Sequence, residues 1–210
     1  MGLTTNKKFD TEKYVKEILK CQRDPFYFIT KYCRDYTLPN YPKVKKLHPK
    51  QEAIINTFMT DHYVIINGSR QTGKTFAVVL LFSWLTLFFS NYRIALISKK
   101  GEATYSLIKE IKDCLTHVNE PFTVEFGTGN TKASDTAKNI ESYFALKNSS
   151  EVRGITVKAD KPEEAGRSMR SGAIFVDEAA FVTDIDEIMR GLESTTNRIF
   201  LSYEKIKYPH

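Results

Sequence analysis

Helical spacing of apolar residues dominates the chain up to about residue 60; beyond it, short apolar runs alternate with helical stretches. Residues 1 to about 10 are polar and carry no pattern. Over residues 11–21, Tyr14, Ile18 and Leu19 share one face of a helix. Asp24-Pro25 opens a second helix through Phe26, Phe28, Ile29 and Tyr32. The aspartate suits an N-cap and the proline a first helical turn. Pro39, Pro42 and Pro49 punctuate a basic connector. Pro49-Lys50-Gln51-Glu52 then starts a third helix, apolar at Ile54, Ile55 and Phe58, that runs to about Met59.

His62-Tyr63-Val64-Ile65-Ile66-Asn67 reads as a buried strand, and residues 76–89 as a buried helix. Residues 93–98 predict a second strand and residues 102–117 a helix. Between 121 and 160 the pattern weakens; short strands are expected within 122–126, 139–146 and 154–157. Ala173-Ile174-Phe175-Val176 is a continuous apolar run of the kind that suits a central parallel strand. A helix over 185–192 and a last strand over 198–202 follow. This alternation predicts an α/β fold, a mostly parallel sheet with helices on both faces. A helical N-terminal segment over 1–60 precedes a core over 61–210.

Composition narrows the class. The 210 residues are 41% hydrophobic and 27% charged, which suits one soluble globular domain. The net charge of +6 permits nucleic-acid contact without requiring it. Cys21, Cys33 and Cys114 lack metal-ligand spacing and read as reduced thiols of an intracellular protein. Residues 1–20 are polar and mixed in charge, which predicts no signal peptide. The apolar run over 76–89 is too short for a membrane span, so no membrane association is expected.

The chemistry is concentrated in two places. Gly68-Ser69-Arg70-Gln71-Thr72-Gly73-Lys74-Thr75 fits the G-x-x-x-x-G-K-[ST] phosphate loop at every fixed position. Strand before and helix after are the context it needs. Glycines let the backbone approach a polyphosphate, and the helix N-terminus faces the charge. Lys74 then reaches the β- and γ-phosphates, and the Thr75 hydroxyl helps hold Mg²⁺. The plain alternative is a glycine turn that matches by chance. The second place is Asp177-Glu178, directly after the apolar run. Ligands of open α/β sheets bind beyond the carboxyl ends of strands. Asp177 is therefore expected to support Mg²⁺, through water, and Glu178 to orient and activate a water. Its alternative is an ordinary strand end with two solvated acids.

A set of segments in order along the chain carries a family resemblance. Asp24-Pro25-Phe26-Tyr27-Phe28-Ile29, Leu47-His48-Pro49-Lys50-Gln51, the phosphate loop, Ile97-Ser98-Lys99-Lys100-Gly101 and Val176-Asp177-Glu178-Ala179-Ala180-Phe181 resemble the N-terminal ATPase domain of tailed-phage large terminase subunits. The resemblance spans about residues 24–202. It implies a RecA-like (ASCE) P-loop NTPase that uses ATP and Mg²⁺ to drive double-stranded DNA into a capsid. It implies a portal protein and a small terminase subunit as partners, a homo-oligomeric ring on the portal, and work in the host cytoplasm. Gln51 resembles the glutamine of an adenine-recognition motif, and an amide can both donate to and accept from adenine. Arg70 resembles the loop arginine that stabilises charge at the γ-phosphate. The alternatives are a solvent-facing helix glutamine and an arginine paired with a nearby carboxylate.

The sequence also departs from that family. A threonine-rich coupling motif is expected after the last core strand, and Tyr203-Glu204-Lys205-Ile206 stands there instead. The family's nuclease domain is not expected in these residues. A helicase-like DNA-dependent ATPase and a nucleotide-binding module without turnover are the competing classes. Three further features stay open. Gly166-Arg167-Ser168-Met169-Arg170 is either a solvated loop or a contact to DNA or a neighbouring subunit's nucleotide. Lys43, Lys45, Lys46 and Lys50 either approach phosphates or form a solvated connector. Tyr27, Tyr32 and Tyr36 either stack on adenine or pack in the core, the commoner role. His48 and His117 have no evident metal partners.

Overall fold

The three N-terminal helices, α1 (Thr11–Arg23), α2 (Pro25–Tyr32) and α3 (Pro49–Thr60), join the larger of two hydrophobic cores, the one on their side of the sheet. The computed structural model describes residues 11–69, 72–98, 100–119, 122, 124, 126–127, 142–155, 171–179, 182, 185–193 and 196–204. Asp24 caps α2 as its sequence predicts, its Oδ1 accepting the Tyr27 N–H at 3.0 Å. The α1–α2 junction is polar. Glu17 accepts from Lys31 Nζ at 2.8 Å, Tyr32 Oη at 2.5 Å and Tyr27 Oη at 2.8 Å. The Lys31 bond, then that of Tyr32, holds its carboxyl down at about 2. Tyr32 and Tyr27 pack with the core, as the commoner reading of such aromatics expects.

Strands and helices then alternate: β1 (Tyr63–Gly68), α4 (Lys74–Phe88), β2 (Arg93–Ile97), α5 (Gly101–Thr116), β3 (Phe126–Gly127), β4 (Tyr143–Leu146), β5 (Glu151–Ile155), β6 (Ala173–Val176), α6 (Ile185–Glu193) and β7 (Ile199–Glu204). They build one sheet in the order β1-β7-β6-β2-β5-β4-β3. The strands from β1 to β5 in that order run parallel, and β4 is antiparallel to β5 and β3. The sheet is thus mostly parallel, with an antiparallel end.

The β4–β5 hairpin makes that end, and its tip has a second task. Ser149 takes the left-handed conformation (φ 65°) and its N–H donates to Leu146 O at 3.0 Å. Asn148 Nδ2 donates to Thr86 O at 2.8 Å, and Ser150 Oγ to Phe89 O at 2.5 Å. These bonds satisfy carbonyls that the end of α4 leaves without helical partners.

Helix α4 is the centre of the core, with every residue from Ala77 to Thr86 buried. Ser83 and Thr86 donate to Val79 O at 2.8 Å and Phe82 O at 2.9 Å, which offsets burying their hydroxyls. Trp84 Nε1 donates to Cys21 O at 2.7 Å and ties α1 to α4. Phe82 meets Phe175 of β6 and Phe200 of β7 edge-on, and Phe58 of α3 stacks on Phe200 at 4.2 Å. Each such side chain contributes about 1.5–3 kcal/mol by leaving water. On the other face, Ile188 and Met189 of α6 cover Ile174, Val176, Ile199 and Leu201. Among the described residues no helix is long and apolar enough to cross a membrane.

Candidate functional site

Register fixes the geometry of the sheet's carboxyl edge. Ile65 of β1 pairs with Leu201 of β7, Leu201 with Val176 of β6, and Val176 with Ile97 of β2. Four parallel strands therefore reach this edge in line. Beyond the aligned row, β1 runs into the glycine loop, β6 into Asp177-Glu178 and β2 into Ser98. The loop and the acidic pair lie at one edge, with β7 between their strands. The strand latest in sequence among the described residues, β7, thus stands between β1 and β6.

The loop is shaped by one glycine above all. Gly73 is left-handed (φ 73°) and is the N-cap of α4, where no side chain caps the helix. The first intrahelical bond is Ala77 N–H to Gly73 O at 3.1 Å. The amides of Lys74, Thr75 and Phe76 are thus first-turn donors at the positive end of the α4 dipole. Thr75 stands in that first turn, half-buried. Thr72 Oγ1 donates to Ser69 O at 3.0 Å and closes the loop on itself. Gly68 differs from Gly73. A Cβ there would stand in ordinary contact, 3.5 Å from Thr72 Oγ1, so chain geometry alone does not require glycine. Arg70 and Gln71 lie outside the described residues, as do residues 166–170.

Lys74 turns back over the loop. Its ammonium donates to Gly68 O at 2.7 Å, Ser69 O at 3.2 Å and Tyr203 O of β7 at 3.4 Å. Each acceptor is a neutral carbonyl, so a polyanion offers this cation stronger partners. The ammonium also links the loop to the strand that separates it from the acidic pair.

Asp177 and Glu178 are half-buried and follow β6 in a turn. Asp177 N–H still donates to Ile97 O at 2.8 Å, which anchors the turn to β2. Glu178 has φ 50°, a left-handed conformation uncommon for a residue with a side chain. Its N–H donates to Asp177 Oδ1 at 3.0 Å, a local bond that supports this backbone. Sequence pattern holds no sign of that strain.

Gln51 reaches the loop from α3. Its Oε1 accepts the His48 N–H at 2.8 Å, and its Nε2 donates to Gly73 O at 3.3 Å. His48 closes the other half of a capping box, Nδ1 accepting the Lys50 N–H at 3.2 Å. The capping role of His48 is legible in sequence only as a polar residue ahead of Pro49. Tyr36 packs against Phe76 at 5.5 Å and donates to Glu110 Oε2 at 3.1 Å. Burial, first, and Glu110 push its phenol well above the usual tyrosine range.

Solved structures share this architecture. The large terminase of bacteriophage HK97 superposes with a TM-score of 0.63 at 14% identity, over 87% of this chain and 37% of that one. The large terminase ATPase domain of Thermus phage P74-26 gives 0.54 at 18% identity, over 76% of this chain and 66% of that one. This chain has the fold of phage large terminase ATPase domains. The UvsW helicase of bacteriophage T4 gives 0.55 at 19% identity, over 86% of this chain and 59% of that one. The fold is therefore common to terminases and a helicase, and this chain spans about two-thirds of the P74-26 domain and just over a third of the HK97 protein. No protein-family model matches the sequence.

Proposed function

We propose that this chain is the ATP-hydrolysing motor domain of a phage DNA-packaging terminase. In this reading residues 61–210 are the ATPase core and residues 1–60 the segment that brings Gln51 to it. It acts on double-stranded DNA as a ring on the portal protein, with the small terminase subunit, in the cytoplasm of the infected bacterium.

One observation carries the reading: the aligned row Ile65, Leu201, Val176 and Ile97 sends the glycine loop and the acidic pair to the same edge. ATP is the substrate these groups suit. The loop from Gly68 to Thr75, with Ser69, Arg70, Gln71 and Thr72 between, wraps the phosphates, and the first-turn amides of α4 donate to them. Lys74 exchanges its carbonyl partners for phosphate oxygens. Arg70 offsets charge on the transferred group, and Gln51 reads the adenine.

A hydroxyl at Thr75 and one carboxylate at Asp177 are the kind of donor set that Mg²⁺ accepts, since it keeps several waters. The ion, when bound, neutralises phosphate charge. Glu178 holds and deprotonates the attacking water. Its left-handed backbone fixes where the carboxylate emerges.

The test separates binding from turnover. Lys74→Ala is expected to lose both. Glu178→Gln keeps the shape of the side chain and is expected to bind a fluorescent ATP analogue while losing phosphate release by at least a hundredfold, on the order of a positioned general base. Normal release in Glu178→Gln would overturn the assignment. The likeness to UvsW favours one second reading, a helicase-type DNA-dependent ATPase. Strand separation by this chain would decide for it.

A further inference from the structure

We propose that the extended segment from Lys43 to Lys50 is a docking strip for the phosphate backbone of duplex DNA, joined through Gln51 to the phosphate loop. The choice of duplex DNA among polyanions rests on the motor reading above; the strip itself rests on the following geometry.

Lys43, Lys45, Lys46 and Lys50 are all exposed, while Val44 and Leu47 between them are buried at 5% and 2% exposure. The two apolar side chains anchor the segment and leave the cations facing water. No Asp or Glu occurs from Tyr36 to Gln51. None of the four ammonium groups forms an ion pair or hydrogen bond with another described residue. Two lysines of α1 and α2 differ: Lys16 pairs with Glu12 and Lys31 with Glu17.

The backbone of the strip is held at both ends. Asp35 N–H donates to Pro42 O at 2.7 Å, Lys43 bridges Arg34, and Val44 N–H donates to Cys33 O at 3.1 Å. Below, Tyr41 stacks on His117 just past the end of α5, with ring centroids 3.8 Å apart. Above, the His48 capping box leads to Gln51 and so to Gly73. Helix α5 starts at the carboxyl edge, after β2, and ends at the opposite edge. The strip therefore runs from the residue just past the end of α5 to the first turn of α3 beside the phosphate loop.

Lysines on a fixed backbone suit phosphates better than bases. They act as point charges and carry no base-reading geometry, and with the main chain anchored only the side chains remain to be ordered. From Lys43 to His48 an extended chain covers about 16 Å. B-DNA presents a charge every ~1.7 Å of its axis, so several phosphates fall within reach. The connection through Gln51 gives such contact a route to the nucleotide loop. DNA seated on the strip loads α3's first turn, whose glutamine holds the Gly73 carbonyl.

The experiment measures binding of a random-sequence 30-base-pair duplex by fluorescence anisotropy between 50 and 200 mM salt. It compares the full chain with a variant carrying Lys43→Ala, Lys45→Ala, Lys46→Ala and Lys50→Ala, and with one carrying Arg at the same positions. The alanine variant is expected to bind at least tenfold more weakly at the lowest salt. Its log–log salt slope should fall in magnitude by about 2–4, near 0.9 for each phosphate that is no longer neutralised. The arginine variant should keep both. ATP-analogue affinity, measured in parallel, should stay within about twofold in both variants, which also shows that they fold. An unchanged slope in the alanine variant overturns the strip. So does diminished ATP affinity with intact DNA binding, which would assign the lysines to the nucleotide. Duplex binding without any ATP turnover would sink the motor reading and leave the strip standing; turnover without duplex binding would do the reverse.

Discussion

Gln51 Nε2 and the Gly73 carbonyl oxygen lie 3.3 Å apart, so a helix of the N-terminal segment touches the one left-handed glycine of the phosphate loop. The same glycine has no room for a side chain: a Cβ there would stand 2.3 Å from Gln51 Nε2. Gly73→Ala therefore suffers twice, from a strained φ and from a collision, and should lose about 1–3 kcal/mol in urea unfolding. Adding Gln51→Ala removes the collision and not the strained φ, at the cost of the bonds Gln51 makes to His48 and Gly73, a cost that the Gln51→Ala single variant measures. The double variant should recover about 1 kcal/mol, the scale of coupling between contacting residues. Strict additivity of the two losses would show that the two residues do not touch in solution.

Acid should loosen the α1–α2 junction in a defined window. The Glu17 carboxyl, depressed from 4.5 to about 2 chiefly by its Lys31 bond, stabilises the fold while it is ionised and bound. That stability is fully present above about 4.5 and is lost as pH falls through about 2. Lys31 is 42% exposed, so solvent screening limits the effect to roughly 1 kcal/mol. Urea melts from pH 6 to pH 2 should show the wild type converging on Glu17→Gln. A constant gap between them across that range would refute the linkage.

Trp84 reports on the docking of α1. Its indole donates to Cys21 O in a buried position. Trp84→Phe leaves that carbonyl without its donor and leaves a gap, a loss of about 2–3 kcal/mol. Deleting residues 1–23 instead should expose the ring and shift its emission to the red. An unshifted spectrum after deletion would mean that α1 does not cover it.

The three thiols should be silent in the native state. All are buried, which is what shields them: burial pushes Cys21 up to about 12 and Cys33 well above the usual thiol range, while the hydrogen bond from Cys33 draws Cys114 below it. Alkylation at pH 8 should follow global unfolding rather than precede it. Labelling of Cys21 faster than the urea transition would reveal local opening of α1.

Sequence is legible here where a segment obeys a strong local rule. Asp24-Pro25 marks the start of α2, and the apolar run over 173–176 marks a buried strand. The glycine loop announces the turn from β1 into α4. The residues from 121 to 160 are harder because β3, β4 and β5 owe their places to partners distant in the chain. Strand β5 covers Glu151–Ile155, earlier than the expected 154–157, because Arg93↔Glu151 through Ile97↔Ile155 sets its register. The antiparallel end of the sheet depends on Asn148 and Ser150 meeting the end of α4, which no local pattern encodes. At the site, residue types are legible and their contacts are not. The family resemblance points Gln51 toward adenine; its described bonds go to His48 and Gly73. Lys74 holds a Tyr203 carbonyl, in a stretch that sequence marks only as a departure from a family pattern.

The late position of β7 has a consequence for assembly. The strands that bear the glycine loop and the acidic pair stand two spacings apart, about 9.6 Å, and the intervening slot is filled by the last described strand to be synthesised. Pairing Tyr63 with Ile199 closes roughly two-thirds of the chain into one loop, a slow and entropically costly step. On the motor reading, a nascent polypeptide halted before Ile199 would own Lys74, Asp177 and Glu178 without the strand that joins the two places bearing them.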